Sequence, residues 1–248
     1  MMRTLRALLF ALVAGGMLCG NALAADKLIV ASDPTWPPIE FLDAQKNVVG
    51  FDPDYITAVA KEAGLSVEVR NIAWDGIFAG VGAGTYDIVA SGVSITPERE
   101  KAFDFTIPYY TVHQIVVTRK ADSYADFASL KGKTIGGQIG NTGIRVAEKA
   151  KSGATIKEYD DVGLAMQDLL NNRIDAVICD SPVALYYANK KEGFNDKLRI
   201  AFHTPEGESF GFVVRKGRKD LVEKLNKGIE AVRAKGIEKE LLAKWLGE

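Results

Sequence analysis

Histidine and cysteine are nearly missing from this chain, with two of each in 248 residues. His113 and His203 lie far apart in the sequence, so a metal site built on histidine is not expected. Cys19 sits in the N-terminal apolar run. Cys179 follows the strand-like run Ala176-Val177-Ile178 and reads as a buried, inert thiol, so no disulfide within the monomer is expected. An excess of either charge is also lacking: 31 Lys and Arg stand against 32 Asp and Glu, for a formal net charge of −1. That balance excludes nucleic-acid binding through a basic face. Together with a hydrophobic content of 47%, it excludes disorder. No internal repeat, heptad pattern or low-complexity linker is visible. The length suits one large domain or two lobes.

Residues 1–24 read as a secretory signal peptide. Arg3 and Arg6 supply the positive start, Ala7 to Cys19 a short apolar run, and Ala22-Leu23-Ala24 a small-x-small cleavage pattern. Leu18 is too bulky before Cys19 for lipoprotein processing. The apolar run is short for a spanning helix. Cleavage removes two arginines and no acid, so the charge becomes −3. The expected location is a bacterial periplasm.

The rest of the chain alternates strand and helix signals. Strands are expected at 27–32, 67–69, 87–91, 133–138, 156–159, 176–179 and 198–202. Helices are expected between them at 75–81, 143–151, 161–171 and 182–190, with two more after Lys219 divided near Gly236. Asp52-Pro53 opens a further helix whose apolar face is Tyr55, Ile56, Val59 and Ala60. Asp52 is expected to cap it and Gly64 to end it. This order predicts an α/β fold with open sheets and a ligand site beyond the C-terminal ends of the strands. HQIVVTR (113–119) and SFGFVVR (209–215) interrupt the rhythm and look alike. If both cross between lobes, lobe 1 is 25–115 plus 212–248 and lobe 2 is 116–211. One sheet with an added hairpin is the alternative on pattern alone.

The most informative segment is DIVASGVSITPEREKAFDFTIPYY (87–110). A strand ends at Ser91-Gly92, and Thr96-Pro97 starts a short helix carrying Arg99. Hydroxyls, free backbone N–H groups and a guanidinium then converge at a strand end, a grouping that suits a carboxylate. Three other patterns fail. Gly132-Lys133-Thr134 lacks the P-loop glycine, since position 127 is Phe. The glycines of 136–143, placed between strand and helix, lack dinucleotide spacing. Ser94 is not in a nucleophile elbow, because position 96 is Thr.

Together with ASDPTWPPIEF (31–41), LKGKTIGGQIGNTG (130–143) and RIDAVICDSP (173–182), this segment resembles the periplasmic solute-binding proteins for polar amino acids, family 3. The likeness runs along essentially the whole mature chain and includes the lysine/arginine/ornithine-, histidine- and glutamine-binding proteins. It implies a type II, two-lobed periplasmic binding protein fold, two α/β lobes joined by two hinge strands. It also implies a monomer that takes up a free amino acid, delivers it to an ABC transporter permease, and needs no cofactor or metal.

The resemblance assigns roles to ten residues. Arg99 clamps the ligand α-carboxylate, helped by Thr142 at a helix start, while Asp180 pairs with the α-ammonium. Ser91, Gly92 and Ser94 hydrogen-bond the zwitterion, with only backbone available at Gly92. Trp36 and Trp74 stack on the ligand side chain. Asp33 meets its polar or basic end, and Gln138 fills a variable position beside it. Two aromatics with an acid suit a flat cation, which puts arginine first and then lysine, ornithine or histidine. Glutamine-type ligands fit Asp33 as an acceptor. The alternative is a periplasmic enzyme on the same scaffold, similar to cyclohexadienyl or arogenate dehydratase. No spare acid is identifiable for that chemistry.

Overall fold

Strand β1 (Leu28–Ser32) is the first element of the computed structural model, which describes residues 27–248. The expected signal peptide, with Arg3, Arg6 and Cys19, lies outside the described residues. Short strands β2 (Thr35–Trp36), β3 (Glu40–Leu42) and β4 (Val48–Val49) form a small antiparallel sheet of their own. Helix α1 (Phe51–Glu62) follows, then β5 (Val67–Asn71), α2 (Trp74–Ala83), β6 (Ile88–Val89), α3 (Pro97–Ala102) and β7 (Phe103–Phe105). The chain then runs through β8 (Tyr110–Arg119), β9 (Thr134–Gln138), α4 (Thr142–Lys149), β10 (Thr155–Tyr159), α5 (Val162–Leu170) and β11 (Ala176–Asp180). It continues as α6 (Ser181–Leu185), widening into a π turn over Tyr186–Lys190, and β12 (Leu198–Phe210). β13 (Val213–Arg215), α7 (Lys219–Ala234) and α8 (Ile237–Trp245) complete it.

Two five-stranded sheets result, and they are built alike. The first has the order β5-β1-β6-β13-β7 and the second β10-β9-β11-β8-β12. In each, the first three strands are parallel and the fourth runs against its neighbours. The molecule is a two-lobed α/β protein of the type II binding-protein architecture. Strands β8 and β12 pair antiparallel from Tyr110↔Phe210 to Arg119↔Leu198 and carry the chain out of the first sheet and back.

Why α1 forms is legible in its spacing. Phe51, Tyr55, Ile56 and Val59 fall on one buried face and pack against α7, which presents Leu221, Leu225, Ile229 and Val232. Gly228 lets the two helices meet, since a Cβ there would lie 2.3 Å from the Val59 carbonyl oxygen. An aromatic stack lies beneath: Tyr55 on Tyr109 at 5.2 Å, and Tyr109 on Phe212 at 4.5 Å between ring centroids.

Several expectations are corrected. Asp52 does not cap α1: the helix begins at Phe51 with Gly50 at the cap, and Asp52 turns into the interior. Gly50 holds φ at +137°, and a Cβ would strike the Ile39 carbonyl. The strand expected at 87–91 is only Ile88–Val89, although the N–H groups of Asp87 and Ala90 on either side still donate to the Ile29 and Ala31 carbonyls of β1, and the Asp87 side chain accepts from the Ile29 N–H. Gly136 and Gly137 lie inside β9, as the strand expected at 133–138 requires, with Ile174 and Ile144 packed where their Cβ atoms would be. The segments 198–202 and 209–210 belong to one strand. Its pairing slips between His203 and Gly207, where Pro205 supplies no N–H, and this break makes one strand read as two. The pairing of His203 with Ile115 also brings His113 and His203, distant in sequence, to 6.1 Å between ring centroids.

Candidate functional site

Every parallel strand that flanks the cleft delivers a polar residue from its C-terminal end. β1 ends into Asp33, β6 into Ser91 and Gly92, β9 at Gln138 and β11 at Asp180. Strand ends of this kind are where open α/β sheets bind ligands, because the backbone there is not consumed by the ladder. All ten residues singled out in the sequence are at most 9% exposed or are glycine within this buried group.

Arg99 leaves the first turns of α3, which Thr96 caps by accepting from the Arg99 N–H at 3.2 Å. Its Nη1 donates to the Ser94 carbonyl at 2.8 Å and its Nη2 to the Gly140 carbonyl of the other lobe at 3.2 Å. The guanidinium also lies over the rings of Trp74 and Phe78, at 5.6 and 5.0 Å from their centroids. Among the described residues it forms no ion pair. Burial, with the like charge of Arg145 behind it, pulls its pKa down to about 10. A buried guanidinium without a carboxylate partner is costly unless one arrives.

Asp180 faces it from the second lobe. Gln114 Nε2 donates to its Oδ1 at 2.6 Å, and Trp36 Nε1 reaches across the cleft to its Oδ2 at 3.0 Å. Burial first, and the charge of Glu208 second, push its pKa up to about 7. Gln138 makes a second cross-cleft contact, donating to Asp33 Oδ2 at 3.0 Å and to the Asp160 carbonyl at 3.0 Å. Burial raises the Asp33 pKa, and hydrogen bonds from Thr35 and Gln138 pull the other way.

The first lobe holds its polar groups from below. Ser91 Oγ accepts from the Asp33 N–H at 3.0 Å and donates to Glu40 Oε1 at 3.1 Å. The Gly92 N–H donates to Asp52 Oδ2 at 2.7 Å, which also accepts from the Tyr109 hydroxyl at 2.7 Å. The N–H of Gly92 is therefore already taken, so a zwitterion at this glycine would meet its carbonyl. Burial raises the pKa of both Glu40 and Asp52, Glu40 further because Asp52 is its neighbour. Glu40 Oε2 and Asp52 Oδ1 are buried without a hydrogen-bond partner.

Thr142 begins α4, where Asn141 caps the helix by accepting from the Gly143 N–H at 2.8 Å. Its hydroxyl accepts from Gln114 Nε2 at 3.1 Å and donates to Glu208 Oε2 at 2.6 Å. Trp74 packs edge-on to Phe78 at 5.1 Å rather than ring-to-ring with Trp36. Trp36, Trp74, Asp33, Gln138 and Asn141 wall a cavity of about 10 Å³ in this closed form, the room of about one water.

Sequence reasoning missed five contributors: Glu40, Asp52, Gln114, Asn141 and Glu208. Glu40 could have been suspected as the one acid in the apolar run PPIEF. Gln114 and Glu208 needed the register, which sets Gln114 opposite Asp180 and Glu208 opposite Val112, two residues away on the same face of β8.

Comparison with known proteins agrees with this geometry. The ABC transporter arginine-binding protein 1 of Escherichia coli is 35% identical over 230 residues, covering 91% of this chain and 93% of that protein. The arginine-, lysine-, histidine-binding protein ArtJ from Geobacillus stearothermophilus superposes with a TM-score of 0.85 at 34% identity, over 90% of this chain and 96% of the other. The ancestral amino acid-binding protein AncCDT-1, a precursor of cyclohexadienyl dehydratase, gives a TM-score of 0.82 at 34% identity, over 89% and 95%. The sequence pattern of the bacterial extracellular solute-binding proteins, family 3, matches residues 28–248, and the chain belongs to that family.

Proposed function

We propose that this protein is a periplasmic receptor that captures a polar amino acid by closure of its lobes and presents it to the permease of an ABC importer. The observation that carries this reading is the pair Arg99 and Asp180, both buried, of opposite charge, facing one cleft from opposite lobes. A ligand with a carboxylate and an ammonium on one carbon satisfies both at once, and each charge then finds its partner only when the lobes are together. The remaining residues serve as the family resemblance assigns them, with the lobes divided at 115/116 and 211/212. Residues 1–24 are removed on export, and the mature protein acts as a monomer.

A cationic side chain is favoured, arginine first. Asp33 and Asp180 face the cleft together with Arg99, the single buried cation among the described residues. A ligand with net positive charge offsets that imbalance. Calorimetry of the mature protein against the common amino acids tests the reading: a saturable heat with a basic amino acid supports it, and silence with all of them rejects it. Asp33→Ala is expected to weaken arginine by about tenfold more than glutamine. Equal losses would remove Asp33 from its role.

A dehydratase is the second reading, favoured by a carboxyl poised at about 7 in the cleft. Against it, both oxygens of Asp180 accept hydrogen bonds, from Gln114 and Trp36, which favours the ionised form over a proton donor. Turnover of prephenate or arogenate by the purified protein would decide for the enzyme.

A further inference from the structure

Glu208 sits on β12, one of the two strands that cross between the lobes, half-buried and turned to the cleft face of the β8–β12 pair. Its Oε2 accepts the Thr142 hydroxyl proton at 2.6 Å and lies 3.4 Å from Gln114 Nε2. Its negative charge is felt by Arg99, whose pKa it raises, and by Asp180. A protein carboxylate is thus held at the first residue of α4, within the field of the buried arginine. Those are the two features proposed above to hold the ligand's α-carboxylate.

The hydroxyl of Thr142 has one proton. Its oxygen already accepts from Gln114, so the only hydrogen it can offer goes to Glu208. A ligand carboxylate that draws on Thr142 must take that proton away from Glu208, and must also sit beside a like charge. We infer that Glu208 is an internal competitor for the α-carboxylate cradle of the second lobe, and that it sets how tightly the protein binds its amino acid. This rests on the reading of Arg99 and Thr142 as the carboxylate clamp. The role follows from the register: Glu208 stands opposite Val112, so its side chain falls on the face where Gln114 reaches Asp180 and Thr142.

The test is calorimetry of wild type, Glu208→Ala and Glu208→Gln with L-arginine and with agmatine, the same cation without the α-carboxylate. Any other amino acid that gives heat is likewise paired with its decarboxylated amine. Glu208→Ala is expected to lower the Kd for the amino acid by about tenfold and to leave the amine within about twofold, an effect of the size of one charged hydrogen bond. Glu208→Gln keeps the side chain's shape and controls for folding; it is expected to fall between the two. In a Thr142→Val background the gain from Glu208→Ala should vanish. Weaker binding of both ligands would overturn the inference and make Glu208 an ammonium contact. Equal tightening of both would overturn it in favour of general loosening of the cleft. An unchanged Kd in Glu208→Ala would overturn it while leaving the amino-acid reading intact. Silence of all three proteins with every amino acid would overturn the two together.

Discussion

The two lobes present the cleft with equally buried polar groups, but they hold them differently. In the first lobe Ser91 rests on Glu40, Gly92 on Asp52, and Arg99 on Thr96 and the Ser94 carbonyl, so most bonds stay within one lobe. In the second, Asp180 is completed by Trp36 and Gln138 by Asp33, both from across the cleft, and Thr142 by Glu208 on a crossing strand. The first lobe is a preformed platform. The second has donors and acceptors that closure must satisfy, so a ligand and the opposite lobe compete for the same atoms.

The largest test of that contrast is Arg99→Ala. Binding of any α-amino acid should weaken by at least about a hundredfold, the scale for removing a buried charge from a charged pair. The melting temperature should hold or rise, because Arg99 lacks an ion pair among the described residues. Parallel loss of binding and stability, read by calorimetry and thermal melts, would make Arg99 part of the platform's framework instead.

Asp180 sharpens the comparison through pH. Its carboxyl must be ionised to meet an ammonium, and burial raises it from 3.8 to about 7. Affinity should therefore fall by about tenfold per pH unit below that value, and Asp180→Asn should flatten the profile. Folding stability moves the other way. The native state binds this proton more tightly than the unfolded chain, so the group's stabilising contribution is full at low pH and is lost as pH rises through the native value. Opposed slopes of affinity and melting temperature between pH 5 and 7 are expected, so that Kd and melting temperature both fall as the pH rises; a Kd that rises while the melting temperature falls would contradict the assignment.

The smallest effect belongs to Trp36→Phe, which keeps a ring on the platform and deletes the Nε1 bond to Asp180. A rise in Kd of about threefold to tenfold is expected, with small-angle scattering shifted toward a more open form. A loss as large as that of Arg99→Ala would mean that the tryptophan serves the first lobe's framework and not closure.

The alternation of strands and helices is legible in the sequence because it is local, whereas most of the residues placed at the cleft are named through the family resemblance. Thr96-Pro97 starts α3 as read, and Asp161 caps α5 by accepting from the Leu164 N–H. Asp52 misled because an acid at a helix start is normally a cap, and only the third dimension places Gly92 and Tyr109 against it. β12 was read as pieces because its bulge breaks the period of two. Gln114 and Glu208 carry no local signature at all; their place depends on which strands pair and in what register.

The placement of β13 has a consequence for how the polypeptide reaches this form. This strand lies between β6 and β7 in the first sheet, yet it comes after every strand of the second. β7 joins that sheet only through β13, with Val213 opposite Phe105 and Val89. As the chain emerges, the second sheet is complete once Phe210 has appeared, whereas the first waits for three further residues near the C-terminal end. The lobe that begins first in the sequence is thus the last to be able to assemble, and a chain cut before Val213 would retain one finished half and one unclosed sheet.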